Sequence, residues 1–172
     1  MVVVLKIGHR IHRDYRLDTH LALAARAFCA SGFYYSGQKD SNFEESIRKV
    51  VAKFGGDFRV EYAENYSRFI RDYTGKKVHL TVYGQEVSKI IGKIQKFDNI
   101  LIVVGGEKMP PDIYNMVDFN VSITNQPHSE VSATAIFLNR YFEGKEFKNM
   151  FDSALIKVLP SKRGKKVFKK ER

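Results

Sequence analysis

Two stretches of this chain are apolar at every position: Val2-Val3-Val4-Leu5 near the start, and Ile100-Leu101-Ile102-Val103-Val104 well past the middle. A strand with one face in water alternates apolar and polar side chains, so a continuously apolar run of strand length has both faces covered. Central strands of a parallel sheet, with helices packed above and below, read this way. The rest of the chain alternates to match. Strand candidates VVVLKI, FYYS, FRVEY, KVHLTVYG, NILIVVGG and DFNVSI are separated by helix candidates: Leu21 to Ala30, SNFEESIRKVVAKF, NYSRFIRDY, EVSKIIGKIQKF and PPDIYNMV, the last entered through proline. The expected fold class is α/β, a mainly parallel sheet flanked by helices.

Local signals place some of the boundaries. Residues 8–18, GHRIHRDYRLD, read as a loop dense in arginine and histidine, with Thr19 capping the helix that follows. Ser41 and Glu44 have the spacing of a capping box. ALIKVLP near the end reads as a last strand or an extended arm. A length of 172 residues fits one compact domain. That domain is expected over 1–160, with a basic tail at 161–172. No apolar run approaches the roughly 20 residues that span a bilayer. The N-terminus lacks the charged-then-apolar layout of a signal peptide, so a cytoplasmic protein without membrane contact is expected.

The single cysteine, Cys29, excludes an internal disulfide and a thiolate zinc site, and its helical context reads as a small buried thiol. The net charge is +10, and such an excess points to a polyanionic partner, nucleic acid before membrane. The last twelve residues carry seven basic side chains and one acidic one, which leaves +4 of the +10 on the body. The body is therefore only mildly basic.

Ligands of open parallel sheets bind beyond the carboxyl ends of the strands. Three loops here follow apolar strands: Tyr83-Gly84, Gly105 to Met109, and Thr124 to Glu130. Their glycines and the helix starts behind them can offer main-chain groups to a small molecule. Gly105-Gly106 has neither dinucleotide nor P-loop spacing. Ser129 with Glu130 is the ordinary chemistry of a helix start, and it outweighs a hydrolase reading built on His128 and Ser129. His9, His12 and His20 have no acidic or cysteine partner at ligand spacing, so no metal is expected. Arg10, Arg13 and Arg16 form either a phosphate-contacting loop or a solvated charge run. Residues alone thus reach a domain with a backbone-rich pocket and a basic rim.

The segments LKIGHRIHRDYRLDTHLALAARAF, KVHLTVYG, VVGGEKMPPDIY, ITNQPHSEVSATAIFLNR and KVLPSKRGKKV closely resemble the SPOUT methyltransferases, and within them the archaeal tRNA (cytidine-56-2′-O)-methyltransferases. They are spread over almost the whole chain, and ITNQPHSE with GGEKMP is the specific part. The resemblance implies a sheet whose C-terminal part is threaded into a trefoil knot, a homodimer, and S-adenosylmethionine as cofactor. The implied reaction is ribose 2′-O-methylation of cytidine 56 in the T-loop of tRNA. The alternatives are a SPOUT enzyme acting on another RNA and a non-catalytic RNA-binding module.

Carried onto this chain, the cofactor contacts fall on Leu80, on Gly105, Gly106, Glu107, Lys108 and Met109, and on Ile123, Thr124, Asn125, Gln126, Pro127, His128, Ser129 and Glu130. In related 2′-O-methyltransferases the first motif reads Asn, five residues, Arg; the same spacing here gives His20 and Arg26 as the catalytic pair. The resemblance implies Arg26 as the general base; because a guanidinium is essentially always protonated, the expected role is to steady the phosphate beside the target ribose and the developing alkoxide charge, or else to make a structural ion pair. His20 would orient the hydroxyl or simply pack. The RNA contacts are expected from Arg10, Arg13 and Arg16 and from Lys162 and Arg163 in the tail.

Overall fold

The computed structural model describes residues 1–106, 109–148, 151 and 153–170. Six strands form one sheet: β1 (Val2–His9), β2 (Gly32–Gly37), β3 (Arg59–Tyr62), β4 (Lys76–Glu86), β5 (Ile100–Gly105) and β6 (Phe119–Ser122). Their order across the sheet is β3-β2-β1-β5-β4-β6, and every neighbouring pair is parallel. The connecting helices are α1 (Ile11–Ala27), α2 (Ser41–Phe54), α3 (Tyr66–Asp72), α4 (Val87–Ile94) and the short α5 (Ile113–Met116); α6 (Glu130–Phe142) follows β6.

The two apolar runs become the adjacent central strands β1 and β5, paired from Val2↔Ile100 to Ile7↔Gly105. Successive side chains point to opposite faces. Val2, Val4, Ile100, Ile102 and Val104 join a core with residues of α1, α2, α4 and α6. Val3, Leu5, Ile7, Leu101 and Val103 join a second core with Ile70 of α3 and Ile113 of α5. Each buried aliphatic side chain contributes on the order of 1.5–3 kcal/mol relative to exposure. A continuously apolar strand is therefore what a sheet covered on both faces requires.

Several boundaries differ from the sequence reading. Residues 11–18 are not a loop: α1 begins at Ile11, and Thr19 lies inside it, donating its hydroxyl to the Tyr15 carbonyl at 2.7 Å. Asp14 and Asp18, one turn apart, are both buried on α1; Asp18 meets Lys6 and His9 of β1, while Asp14 pairs with Arg10 at the start of its own helix. The cap of α2 is Asp40 rather than Ser41, since its carboxylate accepts from Phe43 N at 3.0 Å. Glu44 accepts instead from the Tyr35 hydroxyl at 2.8 Å and the Arg48 guanidinium at 2.6 Å. Cys29 is half-buried just past the end of α1, with a positive φ of 66° that turns the chain toward β2. ALIKVLP supplies β7 (Ile156–Leu159), which pairs antiparallel with β8 (Lys166–Lys169), so part of the basic tail is a hairpin strand.

One pairing bears directly on the site. Leu80 and Gln85 of β4 both pair with Val121 of β6, so the chain leaves β6 after Leu80 and returns to the same residue. A side chain at Gly84 would strike the main chain of Val121, so only glycine permits that return. Asn125, just beyond β6, donates its side-chain amide to the Val82 carbonyl at 2.6 Å and ties the two segments together.

Candidate active site

The carboxyl ends of β4, β5 and β6 surround a cavity of about 410 Å³. Leu80, Val104, Ile123 and Ala133 give it an apolar lining, while Thr81, Ser129 and Glu130 bring polar groups to it. A side chain on Gly105 would run into the Met109 thioether, which packs over that turn. Ser129 caps α6, its hydroxyl accepting from Ser132 N at 3.3 Å, as its place before an apolar helix implies. The imidazole of His128 turns its Nδ1 to the Ser129 carbonyl at 3.2 Å and the Ser132 hydroxyl at 3.4 Å, not to the Ser129 hydroxyl. This is a helix start and not a nucleophile–base pair.

His79, on β4, is fully buried in the same wall. Its Nδ1 meets Asn120 Oδ1 at 3.0 Å, and its ring lies edge-on to Tyr114 at 5.0 Å. Burial pushes its pKa down, and the Asn120 hydrogen bond opposes this only in part, so the imidazole titrates below its ordinary range.

A second cavity of about 700 Å³ opens beside the first, between the end of β1 and the start of α1. Arg10, Arg13 and Asp14 stand around it, with Lys6 and His9 among its lining. Behind that lining runs a buried chain of charge. Lys6 is 2% exposed. Its ammonium lies 3.2 Å from Glu130 Oε1 and 3.8 Å from Asp18 Oδ1. Asp18 Oδ2 then meets His9 Nδ1 at 2.6 Å, and His9 Nε2 lies 3.3 Å from Asp40. Burial lowers the His9 pKa, but the hydrogen bonds and charges of Asp18 and Asp40 more than offset it, and the imidazole titrates above its ordinary range. On the rim, Arg10 Nε donates to Asp14 at 2.8 Å. Burial raises the Asp14 pKa, and the Arg10 contact outweighs that to leave it below the usual carboxylate range.

Gly106, Met109 and Glu130 line both cavities, so the two meet there.

Of the expected cofactor residues, Leu80, Gly105, Gly106, Met109, Ile123, Pro127, His128, Ser129 and Glu130 line the smaller cavity. Thr124, Asn125 and Gln126 do not line it; they shape the loop, with Gln126 N donating to the Thr124 hydroxyl at 3.1 Å. Glu107 and Lys108 lie outside the described residues. Arg10 and Arg13 line the larger cavity, Arg16 is exposed on α1, and Lys162 and Arg163 are exposed in the turn of the β7–β8 hairpin.

The two catalytic candidates are placed elsewhere. His20 is exposed on α1. Arg26 is buried near the far end of α1, roughly 20 Å along the helix from Arg13 at 1.5 Å per residue. It donates to the Gly55 carbonyl at 2.5 Å and packs its guanidinium 4.6 Å from the centre of the Phe151 ring. Neither lines a cavity that contains the cofactor loops.

Sequence reasoning missed Lys6, Asp18, Asp40 and His79. The only visible signals were a lysine inside an apolar strand and the four-residue spacing of Asp14 and Asp18. Among the described residues, no group of three or more histidine, cysteine, aspartate or glutamate side chains is placed to hold a metal ion.

A family model for tRNA ribose 2′-O-methyltransferases, aTrm56, matches residues 54–168. The chain belongs to that family. It is 46% identical over 171 residues to the tRNA (cytidine(56)-2′-O)-methyltransferase of Pyrococcus horikoshii, covering 97% of this chain and 84% of the relative. The Archaeoglobus fulgidus protein of the same description is 49% identical over 166 residues, covering 96% and 97%. Among solved structures, the TrmH/SpoU tRNA modifying enzyme of A. aeolicus superposes with a TM-score of 0.63 at 15% identity, over 86% of this chain and 76% of that one. The SpoU methyltransferase AviRb from Streptomyces viridochromogenes, solved in complex with AdoMet, gives 0.57 at 12% identity, over 83% and 59%. These likenesses establish a SPOUT-type fold for this tRNA 2′-O-methyltransferase family member.

Proposed function

We propose that this chain methylates the ribose 2′-hydroxyl of cytidine 56 in the T-loop of tRNA, with S-adenosylmethionine as methyl donor. The observation that carries the reading is the meeting of two cavities at Gly106, Met109 and Glu130, one lined by main-chain turns and apolar side chains, the other rimmed by arginine.

The residues of the smaller cavity fit S-adenosylmethionine. Leu80, Val104 and Ile123 offer apolar contact to an adenine, and Thr81 and Ser129 offer hydroxyls to a ribose or carboxylate. An added Cβ at Gly106 would point toward Glu130 Oε1, 3.9 Å away, and so into the passage between the cavities. When bound, the cofactor supplies an activated methyl group on a sulfonium. The protein's part is then positioning: holding the target ribose at the junction and keeping water out. Arg10 and Arg13 rim the larger cavity, which supports a role for them in contacting the phosphates flanking that ribose, and the exposed Lys162 and Arg163 support a wider basic surface. Within one copy of the chain, neither Arg26 nor His20 is among the described residues that line the two cavities, so the reading gives them no share in the reacting atoms there.

Three further points belong to the proposal. The double passage of β4 past Val121 supports the trefoil knot that the resemblance implies. Exposed Ile11 and Ile136, on the mutually packed helices α1 and α6, support a homodimer, which sedimentation would check; a monomer at micromolar concentration would refute it. No helix of the described residues is long and apolar enough to cross a membrane, in keeping with work on tRNA in the cytoplasm.

The test is methyl transfer from labelled S-adenosylmethionine to an unmodified archaeal tRNA transcript, with the modified nucleotide mapped. Label at cytidine 56, abolished by 2′-deoxycytidine at that position, is the expected result. Label at another nucleotide, or on a base, would overturn the substrate assignment.

A further inference from the structure

We propose that Glu130 accepts the proton of the ribose 2′-hydroxyl during methyl transfer. The inference rests on the functional reading above and deepens it at one residue. In that reading the reacting oxygen must sit where the cavities join, and three described residues line both: Gly106, Met109 and Glu130. Glycine has no side chain and a thioether is a negligible base, which leaves the carboxylate.

Among the described residues, the other titratable groups nearby are committed elsewhere. Asp14 is paired with Arg10 at 2.8 Å and lines only the larger cavity. His79 and His128 line only the smaller one, and the Nδ1 of His79 is taken up by Asn120. Asp18 and Asp40 are buried on either side of His9. Lys6 and Arg13 are cations with no acceptor to offer.

Glu130 is also held as a positioned base needs to be. It begins α6, where the helix end favours negative charge, and its Oε1 is fixed by the buried Lys6 ammonium at 3.2 Å. The second carboxylate oxygen of such a pair is available to a hydroxyl. Lys6 is itself anchored by Asp18, and Asp18 by His9, so the carboxylate is braced from the core beside the larger cavity.

The step balances without any further reagent. As the O–H bond of the 2′-hydroxyl breaks toward Glu130, its oxygen forms a bond to the methyl carbon. The bond from that carbon to sulfur breaks, and its electron pair stays on sulfur. The sulfonium and the carboxylate thereby become a neutral thioether and a carboxylic acid, which returns its proton to water.

The experiment compares wild type, Glu130→Gln and Glu130→Ala. It measures single-turnover methyl transfer at saturating S-adenosylmethionine and tRNA transcript, and the affinity of each ligand by calorimetry. Removal of a positioned base should lower the rate of both variants by about 10²–10⁴-fold. Both dissociation constants should stay within about threefold, less than 1 kcal/mol. Formate should restore the Glu130→Ala rate by about tenfold or more, because it brings back a carboxylate of the right size. Buried scaffolding would not respond to formate in that way. Wild-type rates in Glu130→Gln would overturn the proposal. So would a rate loss matched by an equal loss of cofactor affinity without formate rescue, which would make Glu130 a cofactor ligand. The nucleotide labelled by wild type decides the functional reading, whereas the ratio of variant to wild type decides the role of Glu130.

Discussion

The larger cavity rests on charge, with Lys6 and His9 of its lining joined through Asp18, and His9 in turn meeting Asp40. The smaller one, a few residues away across Glu130, rests on Leu80, Val104, Ile123 and Ala133 with a buried histidine that carries no carboxylate partner. Both floors are built on strand ends of the same sheet, yet one buried imidazole is pushed up by its neighbours and the other is pushed down by burial. On the proposed reading, one sheet edge serves two ligands. A polyanion and its sugar call for oriented charge, which must be paired to be buried at all. A cofactor with a large apolar part calls for a dry surface and close main-chain approach.

The sharpest way to break the contrast is Lys6→Met. Removing one partner of a buried ion pair strands the others, at a cost of about 3–5 kcal/mol. Denaturant unfolding should show this as a fall in midpoint, and a midpoint equal to wild type would mean that the chain of charge is not what supports the larger cavity. Gly105→Val acts on the other side. Overpacking against Met109 costs about 1–3 kcal/mol, so cofactor affinity measured by calorimetry should fall roughly five- to 150-fold while tRNA affinity is kept. Equal losses for both ligands would erase the division of labour. Arg13→Ala should weaken tRNA binding and reduce the slope of log affinity against log salt by about 1, because one phosphate contact is gone. An unchanged slope would remove Arg13 from the RNA surface.

The smallest effect is the dependence of stability on pH. A free histidine titrates near 6.5. Folding raises the His9 value, so its contribution is full below about pH 6.5 and is lost as pH rises through the folded value. Folding lowers the His79 value, so its contribution is full above about pH 6.5 and is lost as pH falls toward the folded value. The melting temperature should therefore decline on both sides of that point. His9→Gln should flatten the alkaline side and His79→Gln the acidic side. Both slopes surviving in both variants would assign them to other groups.

The two floors were unequally legible in the sequence. The loops around the apolar one followed from local pattern, because continuous strands end in turns that lie at the carboxyl edge of any parallel sheet, whereas Leu80 and Ile123 came only from the family resemblance. Ser129 could be placed as a cap for the same reason. The charged floor is made by residues that are distant in sequence: Lys6 meets Glu130 124 positions away, and His9 meets Asp40 31 positions away. Residues 8–18 read as loop because the four-residue spacing of Asp14 and Asp18 is the only local sign that they share a buried helix face. Arg26 shows the reverse. The family motif carried onto this chain made it a catalytic candidate, while its side chain meets the Gly55 carbonyl and the Phe151 ring at the other end of α1.

The return of β4 to Val121 also orders events in time. Val121 cannot pair with both Leu80 and Gln85 until the segment from Thr81 to Gly84 has taken its course, and β6 lies about forty residues downstream. The late strand must find a place already shaped by an early one, which charges the chain loop-closure entropy before any pairing energy is recovered. Gly84, whose hydrogen is all that fits against the Val121 main chain, is thus a gate on the rate of assembly as well as a point of close contact in the finished protein. A side chain at that position would lengthen the interval during which this edge of the sheet stays open to other chains.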